Sequence, residues 1–227
     1  MIYDNIKKGI FISRPNRFIA HVEIDGKVEI CHVKNTGRCK ELLTEGANVI
    51  VQDCGHPGRK TRYDLISVWK GERLINIDSQ APNTIFLEWL KSGKYIRNLK
   101  LIKPEQKYGN SRFDYYLETS NRKIFVEVKG VTLEDNGVVL FPDAPTERGV
   151  KHLKELAACI DEGYEAMVVF VVQMKGVRYM TPNERMHPEF GNALRLLSSK
   201  GAKILAIDCS VTEEAINPES LVKVRLT

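Results

Sequence analysis

The sequence predicts an α/β (α+β) protein in which a small OB-like β-barrel precedes a mixed sheet flanked by helices, and three observations predict it. Residues 8 to 77 read as short strands broken by turn residues, and such a count closes as a barrel without exposed edges. From residue 82 the apolar period lengthens to that of a helix. The uninterrupted apolar run AMVVFVVQ at 166–173 then reads as a strand buried on both faces and reached by a crossover helix.

In the first part the strands are GIFISR, RFIAHVEI, KVEICHV, NVIVQD, DLISVWK and RLINID, with Asp25-Gly26 marking a hairpin between two alternating runs. Residues 1–80 are therefore expected to form a nucleic-acid-binding β domain, and 81–227 a second domain. The second opens with APNTIFLEWLKSGK, whose apolar residues at 85, 86, 89 and 90 share one helical face before Gly93 stops the helix. LKLIKPEQKYG, SRFDYYLE and KIFVEVKG follow as strands, the last two joined by a tight turn at Ser120-Asn121. A helix over 146–162 carries Val150, Leu153, Leu156 or Ala157, and Ile160 on one face and ends at Gly163. A helix over 188–200 stopped by Gly201, and the strand KILAID, continue the α/β pattern.

Composition narrows the function. A hydrophobic share of 43% and a charged share of 28% are those of a globular chain and argue against disorder. Five scattered cysteines form no paired disulfide framework, and Cys31, His32, Cys39, Cys54 and His56 fit no common zinc spacing. No apolar leader or bilayer-length run is present, so a reducing, cytoplasmic setting without membrane is expected. No phosphate-binding glycine loop precedes a helix, which disfavours nucleotide-cofactor enzymes. A small-molecule enzyme of sugar metabolism would need an apolar-walled pocket that no segment announces.

The net charge of +5 permits a polyanionic partner, and the placement of cations says more than the total. Lys34, Arg38, Arg59, Lys60 and Arg62 fall on or near the glycine-rich loops NTGRCKEL and CGHPGRKTR of the first domain, where cations and backbone amides can meet phosphates, and Arg17 clusters with Arg14. A solvated basic surface is the alternative for any one cluster. In the second domain Arg112 precedes the Asp114 strand, and Arg148, Lys151 and His152 occupy the first turns of the helix after the acidic strand.

The chemistry concentrates in two strands. Period two places Glu127 and Lys129 on one face of KIFVEVKG, with Val126 and Val128 on the other. With the turn at Ser120-Asn121, paired residues sum to 241, which sets Asp114 opposite Glu127. Like charges opposed on neighbouring strands call for a cation between them. Mg²⁺, or Mn²⁺, suits two carboxylates, waters and a substrate phosphate, which makes Asp114 and Glu127 the candidate metal ligands. Lys129 would orient water and offset charge at phosphorus. Glu88, in the helix IFLEWL, is a candidate third acid or a plain surface glutamate. A salt-bridge ladder of Asp114, Glu127 and Lys129 stands as the alternative to a metal centre.

KNTGR at 34–38, KYGNSRFDYYLE at 107–118, VEVKGVTL at 126–133, FPDAPTERGVKHLKEL at 141–156 and AMVVFVVQ at 166–173 together resemble the sugar fermentation stimulation protein A family over essentially the whole chain. The resemblance implies an OB-like N-terminal domain, a C-terminal domain similar to the PD-(D/E)xK nuclease fold, and non-specific DNA binding. It places Asp114 on the first acidic position of that pattern, Glu127-Val128-Lys129 on its E-x-K, and Glu88 on its helical acid. Phe113 stands where the pattern has proline. Two functions follow as expectations: a divalent-metal-dependent nuclease, and a non-catalytic DNA-binding regulator of sugar (maltose) metabolism. Single-stranded DNA, duplex DNA and RNA all suit either, and no oligomeric state is implied.

Overall fold

The computed structural model describes residues 1–55, 58–93 and 95–227. Strands β1 (Ile6–Ser13), β2 (Ile19–Ile24), β3 (Lys27–Val33), β4 (Asn48–Asp53) and β5 (Tyr63–Lys70) run in the order β3-β2-β1-β4-β5. Parallel pairing of Cys31–Val33 with Tyr63–Leu65 closes the barrel, and β6 (Arg73–Asn76) extends β5 as a hairpin. The β2–β3 turn has φ of 52° at Asp25 and 75° at Gly26, the left-handed pair that matches the twist of a two-residue hairpin. Alternate residues such as Ala20, Val22, Cys31, Val33 and Val51 fill the interior.

Helix α1 (Ala81–Lys91) follows, with Pro82 at its start and Ile85, Phe86, Trp89 and Leu90 buried as the spacing predicts. Then come β7 (Leu101–Tyr108), β8 (Ser111–Glu118), β9 (Lys123–Val131), β10 (Glu134–Asp135), β11 (Val138–Phe141), α2 (Glu147–Asp161), β12 (Glu165–Val172), β13 (Tyr179–Pro182), α3 (Pro188–Ser199), β14 (Lys203–Val211) and β15 (Ile216–Val222). The large sheet has the order β15-β14-β12-β9-β8-β7, with β12 parallel to both neighbours and the other pairs antiparallel. From Ala166 onward β12 is apolar because helices cover it on both faces: α1 on one, α2 and α3 on the other.

Two elements were not legible in the sequence. β10, β11 and β13 form a three-stranded sheet of two- and four-residue pieces, too short to show a period. β15, INPESLV, is a mostly exposed polar edge strand containing Pro218, so it carries no apolar alternation. Each of the two apolar clusters contains both barrel and sheet residues, so the barrel packs directly on the rest. Polar ties join them too: Glu134 receives Lys70 and Arg73, and Gln173 donates to Asn76. No helix among the described residues is long and apolar enough to cross a membrane.

Candidate functional site

β9 alternates as expected. Val126 and Val128 pack toward α1, while Phe125 and Glu127 face α2. On the neighbouring strand the 241 register holds from Glu118–Lys123 to Tyr115–Val126 and then stops. The expected direct opposition of Asp114 to Glu127 is thus corrected. At Asp114 the ladder opens, and the carboxylate itself takes the place of a backbone acceptor: Val128 N–H donates to Oδ2 at 2.7 Å. The other side of β8 is also irregular, for the β7 register omits Glu105, whose φ is 55°. A strand interrupted on both sides projects Asp114 into a cleft, where Asn83 Nδ2 on α1 donates to its Oδ1 at 3.2 Å.

This cleft, of about 650 Å³, brings together Asp114, Glu127, Lys129, Arg112, Arg148 and Lys151 from three separate sequence segments. Glu127 is 2% exposed. Its Oε1 accepts from Lys129 Nζ and pairs with His152 Nδ1 at 2.6 Å, whereas its Oε2 is buried without a hydrogen-bond partner among the described residues. Burial raises the Glu127 pKa, but the His152 hydrogen bond and the Lys129 charge outweigh it and hold the carboxyl below its ordinary value. Asp114 moves the other way: burial, and then the Glu127 charge, raise it. The two carboxylates therefore repel one another across a site that has spare oxygen ligands.

Other predicted residues divide by place. Arg148 is exposed on the first turn of α2, with Nε 3.4 Å from His152 Nε2, and Lys151 stands a turn from Glu155. Arg112 is exposed on the rim, 3.4 Å from Glu105. Arg17 and Arg38 line a barrel-side groove of about 1080 Å³ that also contains Arg14 and Lys40. Thr146 lines both groove and cleft, so the two adjoin there.

Glu88 requires correction. Its carboxylate holds the Met1 ammonium at 3.0 Å and does not line the cleft; from the same helix, Asn83 reaches Asp114 instead. Lys34 is corrected as a phosphate contact too, because its ammonium is drawn inward to Asp78 at 2.8 Å and Asp64 at 3.6 Å. Arg59 and Arg62 face a separate hollow and are paired with Asp64 and Asp53 respectively. Lys60 is exposed and lines neither cleft nor groove. His56 lies outside the described residues.

The buried role of His152 was missed, though its i, i+4 spacing to buried Leu156 was a signal for it. Asn83, a polar residue in a helical first turn, gave no sequence signal.

Fold and site together define an α+β protein in which a closed OB-like barrel is joined to a helix-flanked mixed sheet carrying a carboxylate, lysine and histidine cluster. Residues 80–215 match the family described as sugar fermentation stimulation protein RE domain, and residues 12–77 match the SfsA N-terminal OB domain. The chain belongs to the sugar fermentation stimulation protein (SfsA) family. It is 62% identical over 226 residues to a sugar fermentation stimulation protein homolog of Desulfitobacterium hafniense, covering 100% of this chain and 99% of that protein. A homolog of Clostridium beijerinckii is 58% identical, with 100% of each covered. Among solved structures, Pyrococcus furiosus SfsA in complex with Ca²⁺ superposes with a TM-score of 0.88 at 28% identity, covering 99% of this chain and 98% of that one.

Proposed function

We propose that this chain binds DNA and hydrolyses phosphodiester bonds with a divalent metal, Mg²⁺ or Mn²⁺, held by Asp114 and Glu127. The observation that carries this reading is Oε2 of Glu127, which has no hydrogen-bond partner among the described residues: a buried carboxylate oxygen left so costs free energy unless a ligand takes it. The donor set fits a hard cation. Two carboxylates suit Mg²⁺, which keeps several waters and uses one or two protein carboxylates beside a substrate phosphate. The solved Pyrococcus furiosus relative, described as a complex with Ca²⁺, supports a site for oxygen-loving ions.

When bound, the ion would supply Lewis acidity and neutralise charge at the phosphoryl oxygens. The protein does the rest. His152 fixes Glu127 by its Oε1, leaving Oε2 to the ligand. Lys129, on the same strand face, orients the attacking water and offsets negative charge developing at phosphorus. Arg148 and Lys151 at the start of α2 hold flanking phosphates. From there Arg17 and Arg38 extend the track onto the barrel.

A second reading, a DNA-binding regulator without cleavage, is favoured by one observation: Lys129 forms an ion pair with Glu127 Oε1 and His152 a hydrogen bond with it, so protein groups engage this carboxylate. Calorimetric titration with Mn²⁺ separates the two. The nuclease reading expects one site that Asp114→Asn and Glu127→Gln each abolish, while salt-sensitive DNA binding persists in both variants. Mn²⁺ binding that is absent, or indifferent to both substitutions, overturns it.

A further inference from the structure

Beside the metal cleft, and sharing Asp114 and Val128 with it, lies a smaller pocket of about 280 Å³ between the barrel loop at Asn35–Gly37, the start of α1 and the end of β11. It brings together Asn35–Gly37 of KNTGR and Asp143 of FPDAPTERG, residues to which the catalytic reading gives no role. Gly37 stands so close that a Cβ there would lie 2.5 Å from Asp143 Oδ2. Arg14 fixes the barrel loop in this position by donating to the carbonyls of Asn35, Gly37 and Arg38.

The wall chemistry is one-sided. Gln173 is 1% exposed, and its amide nitrogen donates to Asn76 Oδ1 at 2.8 Å and to the Asp78 carbonyl at 2.9 Å. That fixes the amide with Oε1 toward Gly130, where a Cβ would stand only 2.6 Å from it; glycine leaves this acceptor open. Asp143 makes no ion pair and no side-chain hydrogen bond among the described residues. No lysine, arginine or histidine of the described residues lines the pocket. Acceptors without cations repel a phosphate and suit N–H donors. Pro82, Val131 and Leu140 supply apolar walls, which suit the faces of a flat ring and would desolvate the hydroxyls of a sugar.

We propose that this pocket takes one unpaired nucleobase bearing an amino group, guanine, adenine or cytosine in preference to thymine, from the strand held at the metal cleft. The choice of ligand rests on the reading of the chain as a DNA-binding nuclease. The base must come from a single strand or be extruded from a duplex, and its donor edge meets Asp143 and Gln173 Oε1.

The test is fluorescence anisotropy in chelator, where no metal-dependent cleavage interferes. The probe is a labelled oligothymidylate of about 12 nucleotides in which dG, dA, dC or an abasic residue is placed singly at each position. One position should bind an amino-bearing base about tenfold tighter than thymine or the abasic residue, the advantage of hydrogen bonds to a charged acceptor. Asp143→Asn should erase that advantage, as should Gly130→Ala, which fills the pocket from the other side. Equal binding of all probes by the unsubstituted protein overturns the pocket, whatever the metal titration shows, and requires no variant to fold. A preference that survives both substitutions also overturns it. A base preference without metal binding would overturn the nuclease reading and leave the pocket standing.

Discussion

Nδ1 of His152 on α2 lies 2.6 Å from Oε1 of Glu127 on β9, so a buried imidazole joins the covering helix to the carboxylate on the central sheet. Removing it leaves a buried charge with Lys129 alone, which costs roughly 2–4 kcal/mol. His152→Ala should lower stability in urea unfolding by that amount and weaken Mn²⁺ binding by about tenfold or more. His152→Asn, whose amide can donate from nearly the place of Nδ1, should recover part of both.

Asp114 is held at a cost to the fold. Its raised pKa means that the native state binds this proton more tightly than the unfolded chain, so the ionised form destabilises the protein above the ordinary value of 3.8. In chelator at neutral pH, Asp114→Asn should therefore melt higher than the unsubstituted protein. Addition of Mn²⁺ should raise the melting temperature of the unsubstituted protein and leave that of Asp114→Asn unchanged.

Arg14 donates to the carbonyls of Gly37 at 2.9 Å and of Arg17, Asn35 and Arg38 at 2.7 Å, a planar fork that an ammonium cannot reproduce. Arg14→Lys should destabilise the protein by roughly 1–3 kcal/mol and weaken DNA binding through the misplaced Arg17 and Arg38. Arg38→Ala should leave stability unchanged and lower the salt slope of DNA binding by about 1.

Glu134 ties the barrel to the sheet. Although burial raises its pKa, the Lys70 hydrogen bond, the Gly137 N–H and Arg73 bring it from 4.5 down to about 2. A depressed carboxylate pKa stabilises the fold above the unfolded value, and that contribution is lost as pH falls from about 4.5 toward 2. Glu134→Gln should destabilise the protein at pH 7 and flatten the fall of its melting temperature across that acidic window.

The fold was legible where burial imposes a period. The apolar run of β12 from Ala166, the α1 stripe and the Asp25-Gly26 turn each carry their own signal, because burial and turn geometry dictate residue type there. The shared cleft of Glu127 and Lys129 was legible for the same reason, since they interrupt an apolar strand at spacing two. What escaped depends on partners distant in sequence. Lys34 reads as a free cation until Asp64 and Asp78 are seen beside it, and Glu88 reads as a site acid until Met1 is found on it. The opening of the ladder at Asp114 arises from irregular pairing on both sides of β8, which residue identity does not encode.

The most direct measurement is a cleavage time course on labelled single-stranded and duplex DNA with Mg²⁺, with Mn²⁺ and with chelator, running Glu127→Ala and Lys129→Ala beside the unsubstituted protein. The expected result is metal-dependent cleavage by the unsubstituted protein that falls by at least about a hundredfold in either variant while DNA binding persists. Salt-sensitive DNA binding with no cleavage under either metal, the same in all three proteins, would contradict a catalytic centre at Asp114, Glu127 and Lys129.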